Sequence, residues 1–129
     1  MGQNNSRENK NKVYYRGDIV LTNLGVHQGS SVQSGIRPCI ILSNNTSNLH
    51  STILNVFPLT TQIKECPVHV IVGKADVNGY LRDSSCFLGE QPVTIGKNQV
   101  LRKVGHVPEN SDTMRKIVDA VMLQLGLSA

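Results

Sequence analysis

The chain has 129 residues, of which 17% are charged and 39% hydrophobic, and it carries a formal net charge of +4. This length and composition predict one soluble globular domain with its own core, and no apolar run approaches the ~20 residues that a membrane-spanning helix needs. The three cysteines, Cys39, Cys66 and Cys86, have no paired spacing, which favours a reducing cytoplasm over a disulfide framework.

The beginning of the chain is rich in asparagine and charged residues and poor in apolar side chains. Such a composition cannot bury enough apolar surface to offset the entropy that is lost on ordering. We therefore predict a disordered N-terminal tail over residues 1–12 and one folded domain over residues 13–129.

Short runs of β-branched and aliphatic residues, separated by Gly, Pro, Asn and Ser, predict strands along most of this domain. The loop over residues 25–35 has few apolar side chains and is expected to be mobile on the surface. Pro38 cannot donate a ladder hydrogen bond, so it is expected at the start or edge of a strand. Residues 44–48 are predicted as a turn and residues 94–98 as a connection. The predicted strands cover residues 18–24, 39–43, 51–59, 67–72, 85–88 and 100–107.

The last part of the chain predicts the only convincing helix. Its apolar side chains recur at i, i+3, i+4, i+7, i+8 and i+11 and so form one stripe. Ser111 is a good N-cap, Asp112 suits the positive end of the helix dipole, and Gly126 follows as a C′ residue. Many short strands and one terminal helix predict a small, strongly bent β-barrel that the helix closes. The stripe consists of Met114, Ile117, Val118, Val121, Met122 and Leu125.

Motifs for the common kinds of catalysis are missing from the sequence. The histidines at 27, 50, 69 and 106 are scattered, and each is interpreted as a surface or strand histidine. Cys66 and His69 would point to opposite faces of a strand and could not share a metal ion. No phosphate-binding glycine loop is present, and with no tryptophan the chain has few aromatic rings on which bases could stack.

Five short motifs, taken in their order along the chain, resemble the MazF/PemK family of toxins. The resemblance runs from about Arg16 to Leu127 and includes the terminal helix, which ends in Leu-Gly-Leu. The motifs are Arg16-Gly17-Asp18, Gly35-Ile36-Arg37-Pro38, Pro58-Leu59-Thr60, Asp83-Ser84 and Glu90-Gln91.

The resemblance implies a mainly β fold of the α+β kind, a small SH3-like β-barrel with a C-terminal helix, assembled as a homodimer. It implies a type II toxin that cuts single-stranded RNA, commonly mRNA, at specific sequences and with neither a metal nor a cofactor. It also implies a cognate antitoxin whose disordered acidic tail fills the RNA groove.

The same resemblance assigns roles to individual residues. Arg37 and Thr60 correspond to the catalytic pair of the family, and Glu90 and Gln91 belong to a segment that lies along the bound RNA. No residue is expected to bind a metal ion. Further RNA contacts are expected from the neighbouring loops, at Gln33, Ser34, Gly35, Thr61 and Gln62.

A catalytic role would explain why a cation stands at the mouth of a strand. When RNA is cut without a metal, its own 2′-OH attacks the phosphate, and the phosphorane that develops carries extra negative charge. A guanidinium that is already held in place stabilises this charge without reorganisation. Pro38 is expected to fix Arg37, and Gly35 is expected to let backbone approach backbone closely. The Thr60 hydroxyl can relay the 2′-OH proton or hydrogen-bond the phosphate.

Two other functions remain open on the sequence alone. A gyrase poison of the CcdB type shares this barrel, but that family ends its helix in a tryptophan and this chain has none. A non-catalytic RNA-binding or interaction module would leave Arg37 in an ion pair at the rim and Thr60 as an ordinary strand residue. Residues 29–34 lack the acidic side chain that many family members carry there, so the cut sequence does not carry over from a relative.

Overall fold

The computed structural model describes residues 12–27 and 29–127. The predicted tail lies outside these residues except for Lys12, and its disorder stays a prediction. In the described part of the chain, no helix has the length and apolar character that a bilayer span requires. The strands there are β1 (Asp18–Asn23), β2 (Ile36–Ile41), β3 (Ile53–Thr60), β4 (His69–Val72), β5 (Asn78–Gly79), β6 (Ser85–Leu88), β7 (Val93–Gly96) and β8 (Val100–His106). The helices are α1 (Asn45–His50) and α2 (Asp112–Gln124), with single 3-10 turns at Lys74–Asp76 and Lys97–Gln99.

The strands form one antiparallel sheet. Its order is β4-β6-β3-β2-β1-β8-β5, and β7 pairs with the first half of β3. The sheet curls into a half-barrel, and α2 packs against β4 and the core beneath it. The predicted mainly β fold with a C-terminal helix is therefore confirmed.

Both faces of the sheet are buried, which explains the continuous apolar runs of its strands. Because successive side chains of a strand point to opposite faces, Ile19 and Val20 of β1 enter different cores, and so do Ile40 and Ile41 of β2. The core under α2 also contains Phe57, Phe87, Met114 and Ile117, and the opposite core contains Tyr14, Leu54, Val56 and Ile95.

Strand β3 changes its partners along its length. It pairs with β7 over its first half, with β2 as far as the Cys39–Pro58 pair, and with β6 through Leu59 and Thr60. Proline fits at this change of partner because it has no N–H to donate to a ladder. Beyond that pair β2 stays with β1 while β3 follows β6, so the two strands diverge and a groove opens between them.

Helix α2 begins and ends as the sequence predicts. The Ser111 hydroxyl accepts a hydrogen bond of 3.1 Å from the Met114 N–H, and Gly126 has a φ of +70°. The Gly126 N–H donates to Leu123 O and the Leu127 N–H to Met122 O, the pair of bonds that defines a Schellman motif. The predicted stripe is only half right, because its first members are buried whereas Met122 is 37% and Leu125 is 56% exposed.

The Arg16-Gly17-Asp18 motif joins the first and last strands. The Asp18 carboxylate is almost completely buried and accepts hydrogen bonds from the Tyr15 N–H and from His106 Nδ1, both at 2.8 Å. Lys103 Nζ lies 3.2 Å from the same carboxylate. Gly17 has a φ of +94°, and a Cβ there would lie 2.5 Å from a backbone oxygen of the segment after β8. The motif therefore stabilises the fold and lies outside the groove.

Three elements were not expected from the sequence: the two-residue strand β5, helix α1 and strand β7. Residues 44–48, predicted as a turn, begin α1, because the Asn44 side chain accepts a hydrogen bond of 2.8 Å from the Ser47 N–H and so acts as an N-cap. The connection predicted over residues 94–98 begins with β7, which gains ladder bonds along β3 and buries Ile95. Asparagine and glycine favour caps and strand ends as well as turns, so their presence predicted too little structure here.

Several strand boundaries differ from the prediction by one to three residues, and the starts of β2 and β4 concern the groove. Strand β2 begins at Ile36, so Pro38 lies inside it; there β2 pairs only with β1, and the expectation of an edge position holds. Strand β4 begins only at His69, because the preceding residues form a turn in which the His69 N–H donates to Cys66 O at 3.0 Å.

Candidate functional site

The groove between the diverging ends of β2 and β3 has a volume of about 770 Å³. Its walls come from the segment before β2, from the segment between β3 and β4, and from the residues after β6. All the predicted site residues except Gly35 and Thr61 line it, namely Gln33, Ser34, Arg37, Thr60, Gln62, Glu90 and Gln91.

Arg37 is half-buried and lines the groove. Its Nε donates a hydrogen bond of 3.1 Å to Ser34 O, which turns the side chain back towards the loop that precedes β2. Among the described residues, neither terminal guanidinium nitrogen has a hydrogen-bond or ion-pair partner, so the rim ion pair of the non-catalytic alternative is not found there. The planar end of the guanidinium is free to bind an anion through two nitrogens at once.

Thr60 ends β3 and is only 6% exposed. Its Oγ1 accepts a hydrogen bond of 3.2 Å from the Gln62 N–H. A hydroxyl oxygen has a second lone pair and a hydrogen of its own. The side chain can therefore still accept one hydrogen bond and donate another to a molecule in the groove.

Gln91 ties one wall of the groove to the end of β6. Its Oε1 accepts a hydrogen bond of 2.9 Å from the Gln33 N–H, and its Nε2 donates one of 3.2 Å to Ser31 O. Gln33 in turn has the one buried side-chain oxygen in the described part of the chain that lacks a hydrogen-bond partner. Gln33 itself lines the groove, but this amide oxygen is shielded from solvent.

His69 also lines the groove, although its sequence context predicts only a surface or strand histidine. Its Nε2 lies 2.7 Å from Glu90 Oε2, and its Nδ1 lies 2.8 Å from Lys64 O. Burial alone would lower the pKa of His69, but the hydrogen bonds to Glu90 and to the Lys64 carbonyl, together with the Glu90 charge, hold that pKa above its ordinary value of 6.5. Only the register of β4 against β6, which pairs His69 with Leu88, brings it near Glu90.

The cysteines do not supply a reactive thiolate at neutral pH near Arg37 or in β6. Burial raises the pKa of Cys39 to about 12, although Thr22 and the Arg37 charge act in the opposite direction. Burial is also the main cause that raises the pKa of Cys86. Cys66 precedes β4, so the argument that Cys66 and His69 lie on one strand does not apply. Separately, the described residues contain no cluster of three or more His, Cys, Asp or Glu side chains suited to a metal ion.

Gly35 and Thr61 do not line the groove. Gly35 has a φ of +75° and pairs with Gly25, and no atom lies within 4 Å of the position that a Cβ would take. The positive φ, and not a close backbone approach as expected, is therefore the reason for a glycine. Thr61 lines a separate cleft on the opposite face of the sheet, together with Pro38 and Tyr80.

Comparison with known proteins gives a consistent result. The sequence model of the PemK-like, MazF-like toxins of type II toxin–antitoxin systems matches residues 15–125. The chain is 34% identical over 114 residues to a protein of Staphylococcus saprophyticus named endoribonuclease MazF, which covers 87% of this chain and 91% of the relative.

Solved structures agree with this match. A mycobacterial endoribonuclease, solved in complex with its cognate antitoxin, superposes with a TM-score of 0.75 at 27% identity and covers 91% of this chain and 99% of that one. MazF of Deinococcus radiodurans has the same fold, with a TM-score of 0.72 at 20% identity over 90% of this chain and 99% of its own.

The Gln91 contacts lead to a prediction about the groove wall. Gln91→Ala removes both hydrogen bonds to the loop, so the Gln33 amide should exchange its hydrogen at least about tenfold faster. Gln99→Ala is a matched control, because Gln99 also bridges two segments through an N–H and a carbonyl. Hydrogen-exchange NMR of both variants measures the effect. An unchanged Gln33 exchange rate in Gln91→Ala would contradict the role given to this side chain.

Proposed function

This chain belongs to the family of PemK-like, MazF-like toxins of type II toxin–antitoxin systems, and we propose that it cleaves single-stranded RNA in the groove that Arg37 and Thr60 share. The observation that carries the proposal is the meeting, in one groove, of a guanidinium with free terminal nitrogens and a buried hydroxyl with free bonding capacity. Family membership argues against the gyrase-poison alternative. An RNA-cleavage assay distinguishes the proposed enzyme, which cleaves, from the non-catalytic RNA-binding module, which does not.

We propose that the attacking group is the 2′-OH of the RNA itself, which requires no metal ion. The 2′-oxygen bonds to phosphorus and its proton passes to Thr60 Oγ1, while the Thr60 hydroxyl hydrogen passes to a phosphate oxygen. The bond between phosphorus and the 5′-oxygen then breaks, and the 5′-oxygen takes the proton from that phosphate oxygen as it leaves. Thr60 is unchanged at the end, and the RNA carries a cyclic phosphate and a free 5′-OH.

Arg37 is assigned to the charge of the transition state. The phosphorane carries more negative charge on its oxygens than the starting phosphate does, and a guanidinium can meet two of those oxygens in one plane. The Arg37 Nε bond to Ser34 O holds the side chain in place before RNA binds. Stabilisation by a charge that is already in position costs no reorganisation during the reaction.

Base recognition is assigned to the wall that Gln91 holds. Gln33 lines this wall, and a rotation of its side chain would bring the unpartnered Oε1 into the groove, where it could accept a hydrogen bond from the exocyclic amine of a base. Gln62, Glu90 and Gln91 complete the expected contacts, whereas Gly35 and Thr61 contribute through loop shape and through the neighbouring cleft.

The three cysteines are free in the structure, which supports the predicted cytoplasmic location.

We propose that the toxin is a homodimer and that its contact includes an apolar patch on β4 and α2. Ile71 of β4 and Leu123 of α2, each 51% exposed, lie side by side in a shallow cleft of about 410 Å³. Lys116 and Asp119 flank the same cleft. A two-fold axis brings each patch onto its own copy, so the lysine of one subunit can face the aspartate of the other.

We propose that the cognate antitoxin inserts an acidic, disordered segment into the RNA groove. The groove carries Arg37, Lys64 and His69, and a chain of carboxylates can occupy the positions of RNA phosphates. The mycobacterial structural relative was solved with its own cognate antitoxin, which supports a protein partner of this kind.

The sharpest test of the activity removes the two groups singly and together. Arg37→Ala should lower RNA cleavage by at least about 10²-fold, the scale for losing one preorganised charge-stabilising donor, and Arg37→Lys should restore little because it lacks the planar fork. Thr60→Ala should cost less, and the double variant should lose less than the product of the single losses. RNA affinity should stay within about tenfold in each variant.

Cleavage of a long single-stranded RNA by purified protein in excess chelator measures these effects. Arg115→Ala, on the exposed face of α2, is the matched control and should keep full activity. Full activity of Arg37→Ala would return that arginine to an ordinary structural role. No cleavage by the unaltered protein would favour the non-catalytic alternative.

The dimer is tested by charging the apolar patch. Ile71→Asp should give a monomer at micromolar concentration in analytical ultracentrifugation, because dimer formation would bury an unpaired carboxylate. Leu49→Asp changes a similarly exposed leucine on α1 and should leave the dimer intact. Circular dichroism shows that each variant stays folded. A dimer of unchanged affinity in Ile71→Asp would move the contact elsewhere.

The antitoxin proposal is tested by competition. An acidic antitoxin segment should weaken binding of an RNA that lacks the attacking 2′-OH by at least about tenfold at saturation, and its association rate should fall as salt rises. Lys64→Ala should slow association of both ligands, whereas Lys97→Ala, which changes a lysine outside the groove, should affect neither. Simultaneous binding of both ligands without mutual weakening would contradict the proposal.

A further inference from the structure

Both ring nitrogens of His69 face hydrogen-bond acceptors. Nδ1 lies 2.8 Å from the carbonyl oxygen of Lys64, and Nε2 lies 2.7 Å from a carboxylate oxygen of Glu90. A carbonyl and an ionised carboxylate can only accept, and a neutral imidazole carries a single N–H. Both bonds form together only when the ring carries two N–H groups, which makes it an imidazolium.

The surroundings of His69 favour this charge. Its side chain is 10% exposed and that of Glu90 is 34% exposed, so the pair is partly shielded from water. The pKa of His69 lies above its ordinary value, because the bonds to Glu90 and to the Lys64 carbonyl outweigh the effect of burial. The imidazolium is therefore present below that raised pKa and is lost as the pH rises through it.

Charged and titratable groups face His69 from every element packed around it. Glu90 raises the pKa of His69 and the Lys64 ammonium lowers it. The segment before β4 also contributes Glu65 and Cys66, and β6 contributes Cys86. The remaining neighbours are Lys116 and Asp119 of α2 and, in the wall of the groove, Arg37.

We infer that the His69 imidazolium is a positioning residue of the RNA groove: it bonds the segment between β3 and β4 to Glu90 and cancels the Glu90 charge beside the path of the RNA phosphates. The inference rests on the proposed cleavage of RNA. Lys64 belongs to the segment that follows Thr60, and Glu90 precedes the Gln91 that holds the opposite wall. His69 therefore connects the catalytic end of β3 to the base-recognition side.

Deprotonation of His69 has two consequences, and both should lower the rate of RNA cleavage. A neutral ring loses either the Glu90 bond or the Lys64 bond, so one wall of the groove is released. The Glu90 carboxylate also keeps its charge without a counter-ion and repels the phosphates of RNA. The contribution of His69 to cleavage should accordingly be full below the raised pKa and should vanish above it.

The experiment compares kcat/KM for RNA cleavage in the unaltered protein and in His69→Gln from about pH 6 to about pH 9. Glutamine carries no charge and resembles the neutral ring in having a donor and an acceptor. The ratio of kcat/KM in the unaltered protein to kcat/KM in His69→Gln should be at least about tenfold at the acid end of this range. It should approach one at the alkaline end. Any pH dependence of the 2′-OH attack itself cancels in this ratio.

A second comparison separates the charge from the hydrogen bonds. In Glu90→Gln the amide can donate to a neutral Nε2 while Nδ1–H still donates to Lys64 O, so both bonds survive without an imidazolium. The ratio of kcat/KM in Glu90→Gln to kcat/KM in the double variant Glu90→Gln/His69→Gln should therefore not change with pH above about pH 7. His50→Gln on α1 is the control for histidine titration in general, because His50 is exposed and lies outside the groove.

The ring is also observed directly. Imidazole ¹⁵N shifts of the unaltered protein should show both His69 nitrogens protonated at about pH 6, and the titration midpoint should match that of the kinetic ratio. Cleavage with a ratio that does not change with pH, or a singly protonated ring at about pH 6, would overturn the inference and leave the proposed activity standing. No cleavage by the unaltered protein at any pH would instead overturn the proposed function, and with it the part that His69 plays in cleavage.

Discussion

The groove depends on one constraint in the sheet, the change of partner that β3 makes at Pro58. Up to this residue β3 runs beside β2, and after it Leu59 and Thr60 run beside β6. A strand that kept β2 as its neighbour would place the end of β3 against Arg37 in an ordinary ladder and leave no space. Because the strands diverge, a hydroxyl from one and a guanidinium from the other line the same opening.

The motifs that mark the family divide their tasks between fold and site. Arg16-Gly17-Asp18 holds the ends of the sheet together through a buried carboxylate and lies away from the groove. Glu90-Gln91 does the reverse and bonds the walls of the groove to the end of β6. The motifs that mark the family therefore include residues that stabilise the fold and residues that line the groove. Only the contacts in the structure distinguish the one kind from the other.

The sequence predicts most strands, the terminal helix and its caps, because these follow from local periodicity and from side chains that bond their own backbone. It missed β5, which has only two residues. It also missed α1 and β7, since Asn44 and Gly96 lie at positions where a turn, a cap and a strand end share the same residues. It missed His69 because Glu90 is brought to it only by the pairing of β4 with β6. It overextended the helical stripe, because periodicity shows which side chains share a face but not how far the core continues beneath it.

The clamp formed by Gln91 has a consequence for how such an enzyme can diversify. Its side chain holds the wall segment of residues 30–34 through main-chain atoms alone, the Ser31 carbonyl and the Gln33 amide. Every residue type except proline offers these groups, so side chains in the loop can be exchanged while the grip is kept. Under the proposed assignment of base recognition to this wall, new target preferences can then arise by substitution within residues 30–34 without a change at Arg37 and Thr60.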